Sequence, residues 1–117
     1  MIPDRGDIVH LAFDPSTGKE MRGNHFALVV SPKAFNRRFA LAMVCPISGG
    51  QAIPARQGGF LVSLMGTGCL TDGNIHIHQL KSVDFVVRQA KKIESVPDHL
   101  LEEIREVIAT LFAPDAV

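Results

Sequence analysis

Two stretches of this chain, His25 to Ser31 and Ala40 to Ile47, are almost wholly apolar, and each is bounded by Gly, Pro, Asn or Asp. Short runs bracketed in this way read as strands. Asp7 to Phe13, Phe60 to Leu64 and Asn74 to Gln79 add three more, and Val83 to Arg88 with Lys91 to Ile93 form a final pair. Many short strands at this spacing point to a small barrel. Between them, Asp14 to Asn24 and Ser48 to Gly59 are long loops containing Gly, Ser and Pro, the length at which loops in compact domains tend to be functional or mobile. Pro32 to Asn36 reads as one helical turn.

The C-terminal segment has a different period. Leu100, Leu101, Ile104, Val107, Ile108, Leu111 and Phe112 recur at helical spacing, with Asp98, Glu102 and Glu103 near the positive end, Ser95 or Asp98 as candidate caps and Pro114 as the stop. With 117 residues, 46% of them hydrophobic, and no repeat or linker-like shift, residues 1–117 are expected to form one domain. The longest apolar run, Phe39 to Ile47, is far short of the roughly 20 residues a membrane helix needs. The N-terminus has no signal-peptide core, so a cytoplasmic location is expected, with no membrane contact. Cys45 and Cys69 lack C-x-x-C spacing and read as reduced thiols, Cys45 as a small core residue.

The formal net charge is zero, but it is unevenly distributed. Residues 1–95 hold 11 Lys or Arg against 7 Asp or Glu, and residues 96–117 hold one Arg against five acids, so the two parts carry +4 and −4. A basic body beside an acidic helix can still present a positive groove to phosphates.

Asp72-Gly73 reads as a turn feeding a strand, with Ile75 and Ile77 on one face and His76 and His78 on the other. At about 3.3 Å per residue the two imidazoles are attached roughly 7 Å apart. Histidine can give or take a proton near neutral pH, so this pair suits general acid–base chemistry. A His-x-His pair on a strand also suits a metal, although no further ligand lies at motif spacing. The segment Lys19-Glu20-Met21-Arg22-Gly23-Asn24-His25 gathers charge in a loop, and Ser48 offers a hydroxyl just before Gly49-Gly50. No G-x-S-x-G elbow, P-loop or dinucleotide fingerprint is present.

The series Arg5-Gly6-Asp7-Ile8-Val9, Phe13-Asp14-Pro15, Gly18, Glu20, Gly23, Ala27-Leu28-Val29-Val30-Ser31-Pro32, Phe35-Asn36 and Pro46-Ile47-Ser48-Gly49-Gly50 continues through Phe60 to Leu64, Asp72-Gly73, Gln79 to Ser82 and Val96-Pro97. It resembles the PemK/MazF family of toxin ribonucleases, in particular the Kid/PemK branch. The resemblance implies a mainly β fold, an SH3-like antiparallel barrel with a C-terminal helix. It also implies a type II toxin acting as a cofactor-free endoribonuclease on single-stranded mRNA. The implied partners are a second copy of the chain and an antitoxin whose flexible acidic tail occupies the RNA groove.

Where the branch typically has Arg and Asp, this chain has His76 and His78, and where it has His, Lys19; where many family members have Arg followed by Pro, this chain has His25 followed by Phe26. The expected assignment makes His76 and His78 the proton-transfer pair, with Ser48 and His25 stabilising the phosphate and Lys19, Glu20, Arg22 and Lys81 lining the RNA path. Binding without cutting, as in an inhibitor of a protein target such as gyrase, is the alternative those departures leave open.

Overall fold

The computed structural model describes residues 1–14, 18, 23–49 and 59–114. Its elements run β1 (Asp7–Ala12), β2 (Asn24–Val29), α1 (Lys33–Phe39), β3 (Ala42–Ser48), β4 (Leu61–Ser63), β5 (Asn74–His76), β6 (Lys81–Val83), β7 (Lys91–Ser95) and α2 (Asp98–Phe112). The strands pair antiparallel in the order β4-β5-β3-β2-β1-β7, with β6 also joined to β3. The mainly β architecture with a C-terminal helix is therefore the one expected.

The apolar runs have a direct explanation, because the central strands bury both faces. On one face Ile8, Leu28, Cys45, Ile47 and Ile75 pack with Leu100 and Ile104 of α2. On the other, Val9, Leu11, Phe13, Ala27, Val29, Ala42, Val44, Val83 and Phe85 form a second core. Alternate residues of β1, β2 and β3 thus go to different cores, and each large side chain fully buried is worth about 1.5–3 kcal/mol. Cys45 is one of them, and burial pushes its thiol up to about 12, so it stays protonated and inert.

Three local expectations change. The turn at Pro32 extends to the seven residues of α1, closed by Ala40 at φ 54°. It is held by the buried Asn36, whose amide donates to the carbonyls of Pro3 (2.8 Å) and Ser31 (3.1 Å). Of the stretch from Val83 to Arg88, only Val83 is in a strand, as the last residue of β6. Asp84 accepts hydrogen bonds from the amides of Val86 (3.1 Å) and Val87 (3.0 Å), which curls the backbone into turns just after β6. Finally, neither Ser95 nor Asp98 caps α2. Pro97 occupies the cap position with no side-chain hydrogen bond, and the Ser95 hydroxyl donates instead to Asp7 (3.2 Å).

Candidate active site

Strand register decides which side chains can meet. Ile47 pairs with Ile75 and Ser48 with Asn74 across β3 and β5, while Phe26 pairs with Ile47 across β2 and β3. Continued by one residue, the second register sets His25 opposite Ser48. Residues directly opposite in an antiparallel pair share a face. His25, Ser48, Asn74 and His76 therefore project to the side of the second core, where that core runs out at the ends of the strands. Lys81 pairs with Val44 and lies on the same side.

The contacts agree with this count. Ser48 Oγ and His76 Nε2 are hydrogen-bonded at 2.5 Å. Phe13, fully buried at the floor, has the His25 ring 6.5 Å from its own and the Lys81 ammonium 5.6 Å over its face. His25 and Lys81 thus rise beside one aromatic side chain, and the Ser48–His76 pair stands on the same sheet face.

His78 arrives by a route that differs from the expected one. The strand stops at His76, and Ile77–Gln79 forms a 3₁₀ turn, with the Leu80 amide donating to the carbonyl of Ile77 (3.1 Å). The turn follows from Ile77, whose side chain is buried in the first core and whose amide donates to Phe60 (2.9 Å). Ile75 and Ile77 still point inward, and the rings of His76 and His78 come within 5.6 Å of each other at 52°. His78 is exposed and His76 half-buried. Burial, and after it the charge of His78, holds His76 below the ordinary imidazole value, so its ring is neutral at pH 7. Its Nδ1 is buried and has no hydrogen-bond partner, the one such side-chain atom among the described residues.

Two residues to which the sequence reading gave no part in the site build this geometry, Gly73 having been read only as a turn. Gly73 sits at φ +126°, and a Cβ there would lie 2.2 Å from the carbonyl oxygen of Ser48, so only glycine lets the start of β5 close against β3. Glu94, on β7, accepts from the amides of Leu70 (3.1 Å) and Thr71 (2.8 Å) and from the Thr71 hydroxyl (2.6 Å), pinning the loop that enters β5. An Asp-Gly turn signal marks the first; nothing local marks the second.

Lys19, Glu20 and Arg22 lie outside the described residues. His10 packs edge-on against Phe26, with centroids 5.1 Å apart, on the opposite sheet face. His99 is exposed on α2. Among the described residues no group of three His, Cys, Asp or Glu side chains gathers as a metal-ligand set.

Residues 4–112 match the model of the PemK-like, MazF-like toxins of type II toxin–antitoxin systems. The chain is 36% identical over 108 residues to the endoribonuclease PemK of Escherichia coli, covering 92% of this chain and 80% of that protein. Its fold is similar to crystalline MazF from Deinococcus radiodurans, with a TM-score of 0.82 and 31% identity over 96% of this chain and 97% of that one. It is also similar to the MazE–MazF complex from the same organism, with a TM-score of 0.78, 29% identity and the same coverage. The chain belongs to the PemK-like, MazF-like family of type II toxins and is an endoribonuclease.

Proposed function

We propose that this toxin cuts single-stranded mRNA in the cytoplasm and so arrests growth. The 2′-hydroxyl of the substrate attacks the neighbouring phosphate without a metal ion. The products carry a 5′-hydroxyl and a 2′,3′-cyclic phosphate, which can open to a 3′-phosphate. The observation that carries this reading is the triplet Ser48, His76 and His78. A hydroxyl is hydrogen-bonded to one imidazole, and a second imidazole lies 5.6 Å from the first.

Two imidazoles in different surroundings, one half-buried and one exposed, can divide acid from base. His76, held neutral, is the base that removes the 2′-hydroxyl proton. His78, exposed to solvent, is the acid that protonates the departing 5′ oxygen. The developing charge on phosphorus is met by Lys81 and by His25, which stands in the place of an arginine and contributes fully only when protonated. Lys19, Glu20 and Arg22 extend the RNA path.

The MazE–MazF likeness supports an antitoxin partner, and an acidic flexible tail lying over Lys81 and His25 would block the site. An apolar groove of about 680 Å³ between α2 and β3, lined by Met43, Leu80, Leu101, Ile104, Ile108 and Phe112, supports pairing of two copies.

The test is replacement of each histidine. His76→Ala and His78→Ala should each slow the chemical step roughly 10²- to 10⁴-fold while RNA affinity changes little, since a proton-transfer group acts in the transition state. Full activity in a folded double variant contradicts the assignment.

A further inference from the structure

His76 has two ring nitrogens, and neither is open to a substrate. Nδ1 is buried without a partner, and Nε2 is taken by Ser48 Oγ at 2.5 Å. With Nδ1 buried and Nε2 bonded to Ser48 Oγ, a proton reaching Nε2 in this arrangement comes through the serine oxygen. We infer that Ser48 is a proton relay, a catalytic hydroxyl through which His76 acts on the substrate. This goes beyond charge stabilisation at the phosphate, and it rests on the reading that His76 is the base.

The step balances without a further reactant. Ser48 Oγ accepts the proton of the substrate 2′-hydroxyl as its own proton passes to His76 Nε2. The 2′ oxygen forms its bond to phosphorus while the bond from phosphorus to the 5′ oxygen breaks, and His78 gives that oxygen a proton. His76 ends as imidazolium, His78 as neutral imidazole and Ser48 as a hydroxyl again. The relay requires the tautomer of His76 with its proton on Nδ1, which leaves Nε2 free to accept from Ser48.

Position supports the assignment as well as contact. Ser48 is the last residue of β3 and pairs with Asn74, two residues before His76 on the adjacent strand, so both side chains stand on the same face. The backbone of Ser48 is clasped by Gly73, where no Cβ intervenes. The hydroxyl is thereby fixed at both ends, which a serine on a free loop would not be.

A double-mutant cycle on the full-length toxin tests this. Cleavage of an unstructured RNA is followed in single-turnover mode, with the toxin in saturating excess over the RNA, for wild type, Ser48→Ala, His76→Ala, the double variant and Ser48→Thr, with folding checked by thermal melting. A relay predicts that both single losses fall in the same range, roughly 10²- to 10⁴-fold. It also predicts a double variant no slower than the slower single, with Thr recovering most of the rate. If His76→Ala is slow but Ser48→Ala cuts near the wild-type rate, the relay is wrong and the histidine base stands. Losses that multiply make Ser48 an independent phosphate donor and also overturn the relay. If both singles cut at the wild-type rate, the His76 reading itself falls. Should the Ser48 variants not fold, the proton inventory of wild type decides. With the relay three protons move, from the 2′-hydroxyl to Ser48, from Ser48 to His76 and from His78 to the 5′ oxygen. The rate then follows a cubic dependence on deuterium fraction; the quadratic dependence of direct abstraction by His76, or a straight line, contradicts the relay.

Discussion

Gly73 and the carbonyl of Ser48 touch so closely that a Cβ on the first would lie 2.2 Å from the oxygen of the second. The contact, together with φ +126°, fixes where β5 begins relative to β3, and hence where His76 meets Ser48. Gly73→Ala should cost about 1–3 kcal/mol through backbone strain alone, and more through the clash. The measurement is thermal melting alongside RNA cleavage, and both should fall. An alanine variant that melts and cuts like wild type would show that the contact does not set the site.

Glu94 anchors the loop before β5 from the far edge of the sheet. The Thr71 hydroxyl holds its carboxyl below the ordinary glutamate value; burial opposes this, and the Leu70 and Thr71 amides reinforce it. A carboxylate depressed in the folded state stabilises above its unfolded value and loses that contribution as pH falls through the folded one. Glu94→Gln should therefore lower the melting temperature at pH 7 and narrow its difference from wild type as the pH drops below about 4. A difference that stays constant with pH would place the effect elsewhere.

Protonation of His76 is opposed by burial and then by His78. Its folded value lies below the ordinary one, so it stabilises the folded state above the unfolded imidazole value, and that contribution is lost as pH falls through the folded value. The rate profile should be bell-shaped, its rising limb centred below about 6.5 and its two apparent values belonging to the coupled pair. His78→Ala removes the like charge, so the His76 imidazole followed by NMR should titrate higher than in wild type, yet still below the ordinary value because burial remains. No movement would mean that the two rings do not communicate.

Lys81 lies over the ring of Phe13, and in the proposed function its ammonium meets a phosphate of the RNA. RNA affinity should fall with salt at a log–log slope of about −0.7 for each single-strand phosphate contact, and Lys81→Gln should reduce that slope by roughly one contact. An unchanged slope would remove Lys81 from the RNA path.

The fold was legible because its signals are local. The apolar runs of β2 and β3 mark strands buried on two faces, and the spacing from Leu100 to Phe112 marks α2. Asp84 misled, because its side chain captures two amides that an apolar reading of Val83, Phe85 and Val87 assigns to a strand. Within the site, His76 and His78 stood out by their spacing. The bond between Ser48 and His76 did not, since it joins residues 28 apart and depends on a register that no local pattern reveals. Glu94 was invisible for the same reason, lying 23 residues from the threonine it holds.

The central claim is cleavage by the internal 2′-hydroxyl without a metal. Its most direct measurement is end-group analysis of an RNA oligonucleotide incubated with the toxin in EDTA, beside the same oligonucleotide carrying one 2′-deoxy sugar at the cleaved position. The account predicts a 5′-hydroxyl and a 2′,3′-cyclic phosphate from the first, and an intact bond at that position in the second. Cleavage of the deoxy position, a 5′-phosphate end, or cutting that appears only when a divalent metal is restored would contradict it.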